Sequence, residues 1–404
     1  MSLLRWAVLA IAILPLVYYL AATFCAWDFF RRNREPSGDF APPVSILKPL
    51  KGLEREAYDN LASFCRLDYP EYELLFAVDD ERDPAIPVIE RVIHDFPRVP
   101  IRLVIGSAIH ATNNKVGKLC RLLPEARHEL LVMSDGDIRV KPDYLRCVVW
   151  PFRDPSVGAV TCLYRGMTDP NLWSELEDLN LTTDWLASTL VARKLEGVKF
   201  ALGATIAVTR SRLAEIGGFE ALADCAADDY ELGRRIAARG YRVELTPCPI
   251  QTLCASGTAR QFILHHLRWA VVIRHCRPWG YIGELFTKGL PWSLAAAMVA
   301  PSRHAAIGYL AIPLAARLAM AFSFGVYGMK DPLLPRRWWL IPLCDAIEFF
   351  IWVLALFSNR ISWRESRFYV RRGRLIPITS PATARHSRAS ENPAWGNGRP
   401  LSRD

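Results

Sequence analysis

Residues 131–140 read LVMSDGDIRV, an apolar run that ends in two aspartates one residue apart and then turns apolar again. A carboxylate at a buried strand end is costly unless it is paired or bound to a cation. In an extended chain side chains alternate between faces, so Asp135 and Asp137 point to the same side, with Gly136 keeping the bulk between them low. Two carboxylates so placed suit a hard divalent ion; Mg²⁺ in particular binds through one or two carboxylates and leaves its other positions to water and substrate phosphates. A solvated turn after a strand would give the same letters, so the neighbouring sequence has to decide.

Upstream, PVSILKPLKG and YELLFAVDDERDP read as strands, the second ending in Asp79 and Asp80. In PAIPVIERVIHDFP the residues Ile86, Ile89, Ile93 and Phe96 recur at helical spacing. IRLVIG is a third strand, NNKVGKLCRLLPEA a loop and helix, and HELLVMSDGD a fourth strand. Alternating strands and helices predict an α/β fold with a parallel sheet covered by helices. In such sheets ligands bind beyond the carboxyl ends of the strands, where Asp79, Asp80, Asp135 and Asp137 all fall. Downstream, VGAVTCLYRG is a strand, 171–195 is helical, and FALGATIAVTRSRLAEIGGF is a strand-turn unit and helix. Gly203 and Gly217–Gly218 mark close approach or turns. In CAADDYELGRRIAARGYRVEL, Asp228 and Asp229 open a helix that closes at Gly240; helix capping alone would also place acids there.

The chain has 404 residues, 51% of them hydrophobic and 23% charged. The apolar surplus gathers toward the two ends, which points to membrane spans rather than one oversized core. Residues 3–27 are long enough to cross a bilayer and lack a clean signal-peptide cleavage pattern. Arg31, Arg32 and Arg34 follow directly, which places the next domain on the cytoplasmic side. Residues 305–328 and 338–358 are two further spans, whereas LPWSLAAAMVA is too short to cross. Asp345 and Glu348 inside the last span should face protein or water. ARQFILHHLRWAVVIRHCRPWGYIGELF is a basic amphipathic helix of the kind that lies in a membrane interface. Its adjacent His265 and His266 face about 100° apart on a helix, which argues against a shared metal ion.

The net charge is +9, with basic residues crowding the ends of the apolar segments. That placement suits anionic headgroups, and no nucleic-acid motif accompanies it, so a bilayer and not nucleic acid is the expected partner. Ten cysteines are scattered without C-x-x-C spacing, which predicts free thiols in a reducing compartment.

Together VDDERDP, SDGDIRV, ADDYELG and HHLRW resemble, in order, the D, D, D, (Q/R)xxRW pattern of membrane-bound family 2-like glycosyltransferases. More closely, PVSILKPLKG, DYPEYELLFAVDDERDPAIPVI, NNKVGKL, ADDYELGRRIAARGYR and ISWRESRFYVRRGR resemble the ceramide glucosyltransferase family. Its bacterial relatives include glycosyltransferases that act on bacteriohopanetetrol, toward which the basic tail and short length point.

The resemblance implies a GT-A, Rossmann-like nucleotide-sugar transferase domain with flanking transmembrane helices. Asp80 would contact the nucleotide and Lys115 would lie near it. Asp135, with Asp137, would hold Mg²⁺ or Mn²⁺ on the donor diphosphate. Asp229 would be the general base, with Asp228 beside it, and Arg268 and Trp269 would close over the diphosphate and the acceptor. Two departures stand out: His265 occupies the motif's Gln/Arg position, and Asp137 is not an acid throughout the family.

The expected organisation is an anchor at 1–28, a linker at 29–41, the GT-A domain at 42–257, an amphipathic interfacial region at 258–302, transmembrane helices at 303–358, and a basic cytoplasmic tail at 359–404 with a disordered end. The expected activity is inverting transfer of glucose or N-acetylglucosamine from a UDP-sugar to a membrane lipid alcohol, ceramide or a hopanoid polyol, at a cell's inner membrane. Two rivals are a processive polysaccharide synthase, which needs more spans for a channel, and a non-catalytic membrane scaffold, which has no reason to keep clustered carboxylates.

Overall fold

A computed structural model describes residues 2–32, 38–106, 111–363 and 366–378. At its centre is an eight-stranded sheet of β1 (Val44–Pro49), β2 (Tyr72–Val78), β3 (Ile101–Ile105), β4 (Leu130–Ser134), β5 (Ile138–Arg139), β6 (Val157–Thr168), β7 (Thr205–Thr209) and β8 (Arg242–Cys254). The strand order is β3-β2-β1-β4-β7-β6-β8-β5. β1, β2 and β4 are buried almost throughout and rich in branched residues, as strands covered on both faces must be, while the edge strand β3 is half-buried.

β3, β2, β1 and β4 run parallel, as the alternating pattern predicts. The sheet as a whole is mixed, because β7 lies antiparallel to both β4 and β6. This corrects the expectation of a parallel sheet, and the reason is local. The helical stretch from Leu172 to Glu196 intervenes between β6 and β7, and β7 then enters in the reverse direction. The reversal is useful: Ser134 pairs with Thr205, so the start of β7 meets the end of β4, and Gly203 arrives beside the aspartates.

Among the described residues three helices are long and apolar enough to cross a membrane: Leu3–Arg32, Arg303–Gly328 and Leu334–Leu356. At 1.5 Å per residue the shortest is roughly 35 Å long, enough for the hydrocarbon layer. Large apolar side chains such as Leu20, Phe24, Ile312, Phe350 and Leu354 stand exposed on them, as a lipid-facing surface requires. The apolar helix Gly289–Val299 is shorter, as the sequence implies. Asp345 turns inward and pairs with Arg317, whose guanidinium also donates to the Thr183 carbonyl. Glu348 lies 2.7 Å from His266 Nδ1 and ties the last span to the helix Ala259–Cys276.

Two expectations change. Residues 360–363 and 366–377 of the basic tail form an antiparallel sheet of β9 (Arg360–Trp363), β10 (Ser366–Arg371) and β11 (Arg374–Pro377). The Arg372–Gly373 turn has positive φ at both residues, the geometry of a tight hairpin. The disorder expected from residue 380 onward lies outside the described residues. In addition, Cys147 and Cys248 form a disulfide, while eight other cysteines are free. Partners 101 residues apart leave no spacing signal, and the bond removes the cysteine argument for a reducing compartment.

Arg317→Met is expected to lower stability by about 3 kcal/mol or more, because it leaves Asp345 an unpaired buried carboxylate. The measurement is thermal unfolding in detergent, with Asp345→Asn in the same background recovering part of the loss.

Candidate active site

The carboxyl edge of β1–β4 opens into a cavity of about 1500 Å³. β4 delivers Asp135 and Asp137, the helix Asn114–Leu122 delivers Lys115, and the helix Asp228–Ala238 delivers Asp228 and Asp229. Each placement has a local cause. Asn113 caps its helix by accepting from the Lys115 and Val116 amides, and its amide group donates to Asp228 Oδ1 at 3.0 Å. One side chain thus sets the register of two helix starts.

Lys115 is the centre of the charge arrangement. Its Nζ lies 2.6 Å from Asp135 Oδ1, 3.9 Å from Asp228 Oδ2 and 3.4 Å from the Gly203 carbonyl. These carboxylates, with Asp229, hold it protonated against its burial. Asp137 accepts from Thr252 Oγ1 at 3.1 Å. Burial, then the charges of Asp135 and Glu54, push its carboxyl up to about 6. Asp229 is likewise pushed up to about 6, by burial and then by Asp228, with Lys115 opposing. Gly203 packs so closely on it that a Cβ there would fall 2.8 Å from Asp229 Oδ2.

Sequence reasoning missed Lys48. It is fully buried within β1 and donates to the Asp135 carbonyl at 2.7 Å, with its Nζ 3.7 Å from the centre of the Phe64 ring. Burial lowers it to about 7, against the pull of Asp137 and Asp135. The signal was present, since a lysine inside the apolar run VSILKP demands a partner.

The far wall comes from the helix Ala259–Cys276. Trp269 stacks on Trp185 at 5.4 Å, His265 meets the Trp269 ring at 4.5 Å, and Arg268 lies 5.5 Å from the Trp363 ring of β9. Burial and then Arg268 keep His265 well below the usual imidazole range. The tail sheet was not expected here. It contributes Ser362, Trp363, Ser366 and Phe368 to the wall. It also bonds to the segment before Asp228, through Ala226 N–H to the Gly373 carbonyl and Leu375 N–H to the Asp224 carbonyl, both at 2.8 Å.

Of the nine residues singled out from sequence, the fold brings eight to the cavity: Asp135, Asp137, Lys115, Asp228, Asp229, His265, Arg268 and Trp269. Asp80 is not on its wall. It is exposed and its carboxylate accepts from the Arg82 amide, capping the turn after β2. Its neighbour Asp79 pairs at 2.9 Å with Lys118, which does line the cavity.

Among the described residues no three His, Cys, Asp or Glu side chains converge as a closed metal cage. Asp135 and Asp137 are instead a pair of like charges, and burial followed by the charge of Asp135 raises Asp137. That excess negative charge fits a divalent ion completed by phosphate and water oxygens.

The model of the family described as Glycosyl transferase family 21 matches residues 5–376. The chain belongs to glycosyl transferase family 21. Membership places it among the glycosyltransferase enzymes and bears out the resemblance to ceramide glucosyltransferases. Ceramide glucosyltransferase 1 of Caenorhabditis elegans is 26% identical over 260 residues, 64% of this chain and 55% of that protein. The first relative is thus matched over little more than half its length. Ceramide glucosyltransferase 3 of the same organism is 23% identical over 374 residues, 90% of this chain and 80% of that protein. Among solved structures, the mannosyltransferase PcManGT from Pyrobaculum calidifontis, in complex with GDP-Man and Mn²⁺, superposes with a TM-score of 0.51 at 21% identity. The match covers 87% of this chain and 99% of that one, and it identifies the GT-A fold.

A base that works ionised loses activity as pH falls through its pKa, so if Asp229 takes the base role expected from sequence, activity should fall below about pH 6 as it is protonated. Asp228→Asn removes the like charge yet keeps the oxygen that accepts from Asn113. The acid limb of the pH–rate profile should then move to lower pH. A limb that stays in place would remove Asp229 from the base role.

Proposed function

We propose that the protein is an inverting hexosyltransferase that moves glucose or N-acetylglucosamine from a UDP-sugar to an alcohol of a membrane lipid. One observation carries the reading. The cavity that holds Asp135, Asp137 and Asp229 continues past Trp269 and Glu284 to Tyr18, which belongs to the first membrane-crossing helix. A substrate that stays in the bilayer can therefore reach the carboxylates.

Asp229 accepts the proton of the lipid alcohol as that oxygen attacks the anomeric carbon. The bond from that carbon to the diphosphate oxygen breaks, and UDP leaves with the electron pair. Attack opposite the leaving group inverts the centre, so one base suffices and no glycosyl-enzyme bond forms. A carboxyl near 6 is ionised at neutral pH and still basic enough to take a proton. Asp228 and Lys115 set its charge environment, and Lys48 fixes the backbone at Asp135. Asp135 and Asp137 would hold Mg²⁺ or Mn²⁺, which when bound neutralises charge on the leaving diphosphate. Arg268 adds positive charge on the opposite wall, Trp269 supplies a flat apolar surface for the acceptor, and His265, kept neutral, is a hydrogen-bonding group beside it. The Asp79–Lys118 pair, whose lysine lines the cavity, is a further candidate beside Asp80 for the nucleotide contact.

The relatives' names support ceramide and glucose; a hopanoid polyol is the other acceptor the motifs support. β9–β11 bond to the segment before Asp228, so the tail and the catalytic domain share one side of the membrane, as two crossings between them require. Arg31 and Arg32 after the first span support the cytoplasmic side of an inner membrane.

The test uses protein purified in detergent with Mg²⁺ or Mn²⁺, UDP-glucose or UDP-N-acetylglucosamine, and ceramide or bacteriohopanetetrol, with products read by mass spectrometry. A glycolipid of inverted configuration is expected. It should be lost on chelation, and Asp229→Asn should lower kcat by roughly 10²–10⁴-fold without loss of UDP-sugar binding. Absence of UDP-sugar binding would overturn the reading in favour of a scaffold.

A further inference from the structure

The last of the three long apolar helices, Leu334–Leu356, is tied to the catalytic domain at both ends. Just before it, Arg165 of β6 donates to the Met329 and Lys330 carbonyls at 3.2 and 2.6 Å. At its start Arg337 pairs with Glu175 at 3.0 Å. Just after it, the Ser358 carbonyl accepts from Arg274 at 2.8 Å, and β9–β11 follow, bonded to the segment before Asp228. A helix that crossed a bilayer would hold these two sets of contacts on opposite sides of the hydrocarbon.

Its neighbour sets its depth. Ile341 and Cys344 cluster with Phe262, Glu348 meets His266, and Arg274 reaches the Leu356 carbonyl at 3.4 Å. Leu334–Leu356 and Ala259–Cys276 therefore run side by side in the same direction. Ala259–Cys276 carries Arg260, Arg268 and Arg274 and forms a wall of the catalytic cavity. A helix so charged is costly at a bilayer centre, and its partner shares its level. The other apolar helices are arranged differently. Leu3–Arg32 and Arg303–Gly328 run in one direction, with Tyr309 donating to the Leu9 carbonyl, Ser323 to the Thr23 carbonyl, and Phe324 against the Phe30 ring. Gly289–Val299 runs against them, from Tyr19 beside Gly289 to Leu9 and Ala12 beside Ala296. Gly289–Val299 and Arg303–Gly328 are thus two arms of a hairpin that begins and ends toward the catalytic domain.

We propose that Leu334–Leu356 does not cross the bilayer but lies along its surface on the catalytic side, with one face against the protein and the other among lipid chains. The two arms of the hairpin then supply the even number of crossings between the catalytic domain and the tail. This placement explains why the helix is apolar on both sides. Asp345 and Glu348 turn to the protein, toward Arg317 and His266. On the outer side Trp339, Leu343, Phe350, Leu354 and Phe357 are exposed and recur at helical spacing as one stripe. Trp338 and Trp339, both exposed, suit the boundary between headgroups and chains. The helix that carries Arg268 and Trp269 is thereby held against the membrane surface along its length. The inference goes beyond the transfer reaction and does not depend on which sugar or lipid is used.

The test uses the full-length protein in sealed membrane vesicles. Arg336→Cys, at the start of the helix, and Arg371→Cys, in the tail sheet, alter exposed side chains. A membrane-impermeant maleimide should label both from the same side, above the level of the native chain; labelling from opposite sides would overturn the proposal. Spin labels at Leu343→Cys, Phe350→Cys and Phe357→Cys give a second reading through collisions with oxygen and a water-soluble nickel chelate. The three should report one depth to within roughly a helical turn, about 5 Å, whereas a crossing helix would separate successive labels by about 10 Å along the membrane normal. Such a ramp would equally overturn the proposal. Neither measurement reads glycosyl transfer, so failure of the lipid-acceptor reading leaves a distinct result.

Discussion

Four carboxylates meet around one lysine at the edge of the sheet, and the rest of the structure depends on that balance. Asp135, Asp137, Asp228 and Asp229 come from two separate elements and would repel one another if left alone. Lys115 touches the first, approaches the third and feels the fourth. Lys48 supports the same strand end from beneath, through the Asp135 carbonyl. The compensation is incomplete by design of the charges. Asp137 and Asp229 remain raised, first by burial and then by the neighbouring carboxylates Asp135 and Asp228, so negative charge at the site is not fully matched. A cation and a transferable proton are what such a deficit can use.

The scaffold explains how carboxylates so far apart in sequence come together. Parallel β1–β4 bring their carboxyl ends to one edge, as the alternating pattern of strands and helices requires. β7 then runs backward along β4 and inserts Gly203 between Lys115 and Asp229. A side chain there would push the Asp229 carboxylate out of its place. The glycine therefore follows from close approach, not from a turn, and it exists because the sheet is mixed.

Much of this was legible in the letters. Helical spacing defined the helix Ile86–Asp95 and hydropathy located the long apolar helices, while Asp135 and Asp137 share the cavity across a turn at Gly136–Asp137 and not along the extended strand that period-2 alternation assumed. What escaped depended on contacts remote in sequence. Lys48 could be seen as anomalous, but its partner lies 87 residues away. The reversed β7 left no mark in its own residues, because one buried strand reads alike in either direction. Asp79 and Asp80 were adjacent and chemically identical, and only the position of Lys118 separates them. The tail looked like a charged surface segment because β9–β11 bury only alternate residues such as Ile361, Phe368, Val370 and Leu375, and their partners are elsewhere in the chain.

That tail also links membrane and chemistry. Arg274 on the interfacial helix donates to the Ser358 carbonyl just before β9, and Arg268 on the same helix faces Trp363 within it. β11 in turn bonds to the segment that leads into Asp228 and Asp229. The last apolar helix, the helix Ala259–Cys276, the tail sheet and Asp229 therefore form one connected path. His266 joins Ala259–Cys276 to Glu348 of that last helix and completes the loop. A change in how the last helix sits in the bilayer can reach the carboxylates through these contacts, alongside direct ties of the other apolar helices to the catalytic domain such as Arg317 to Thr183. Asp229 is thus held relative to the membrane helices by hydrogen bonds and packed rings, which suits an attacking oxygen on a molecule whose depth the bilayer sets.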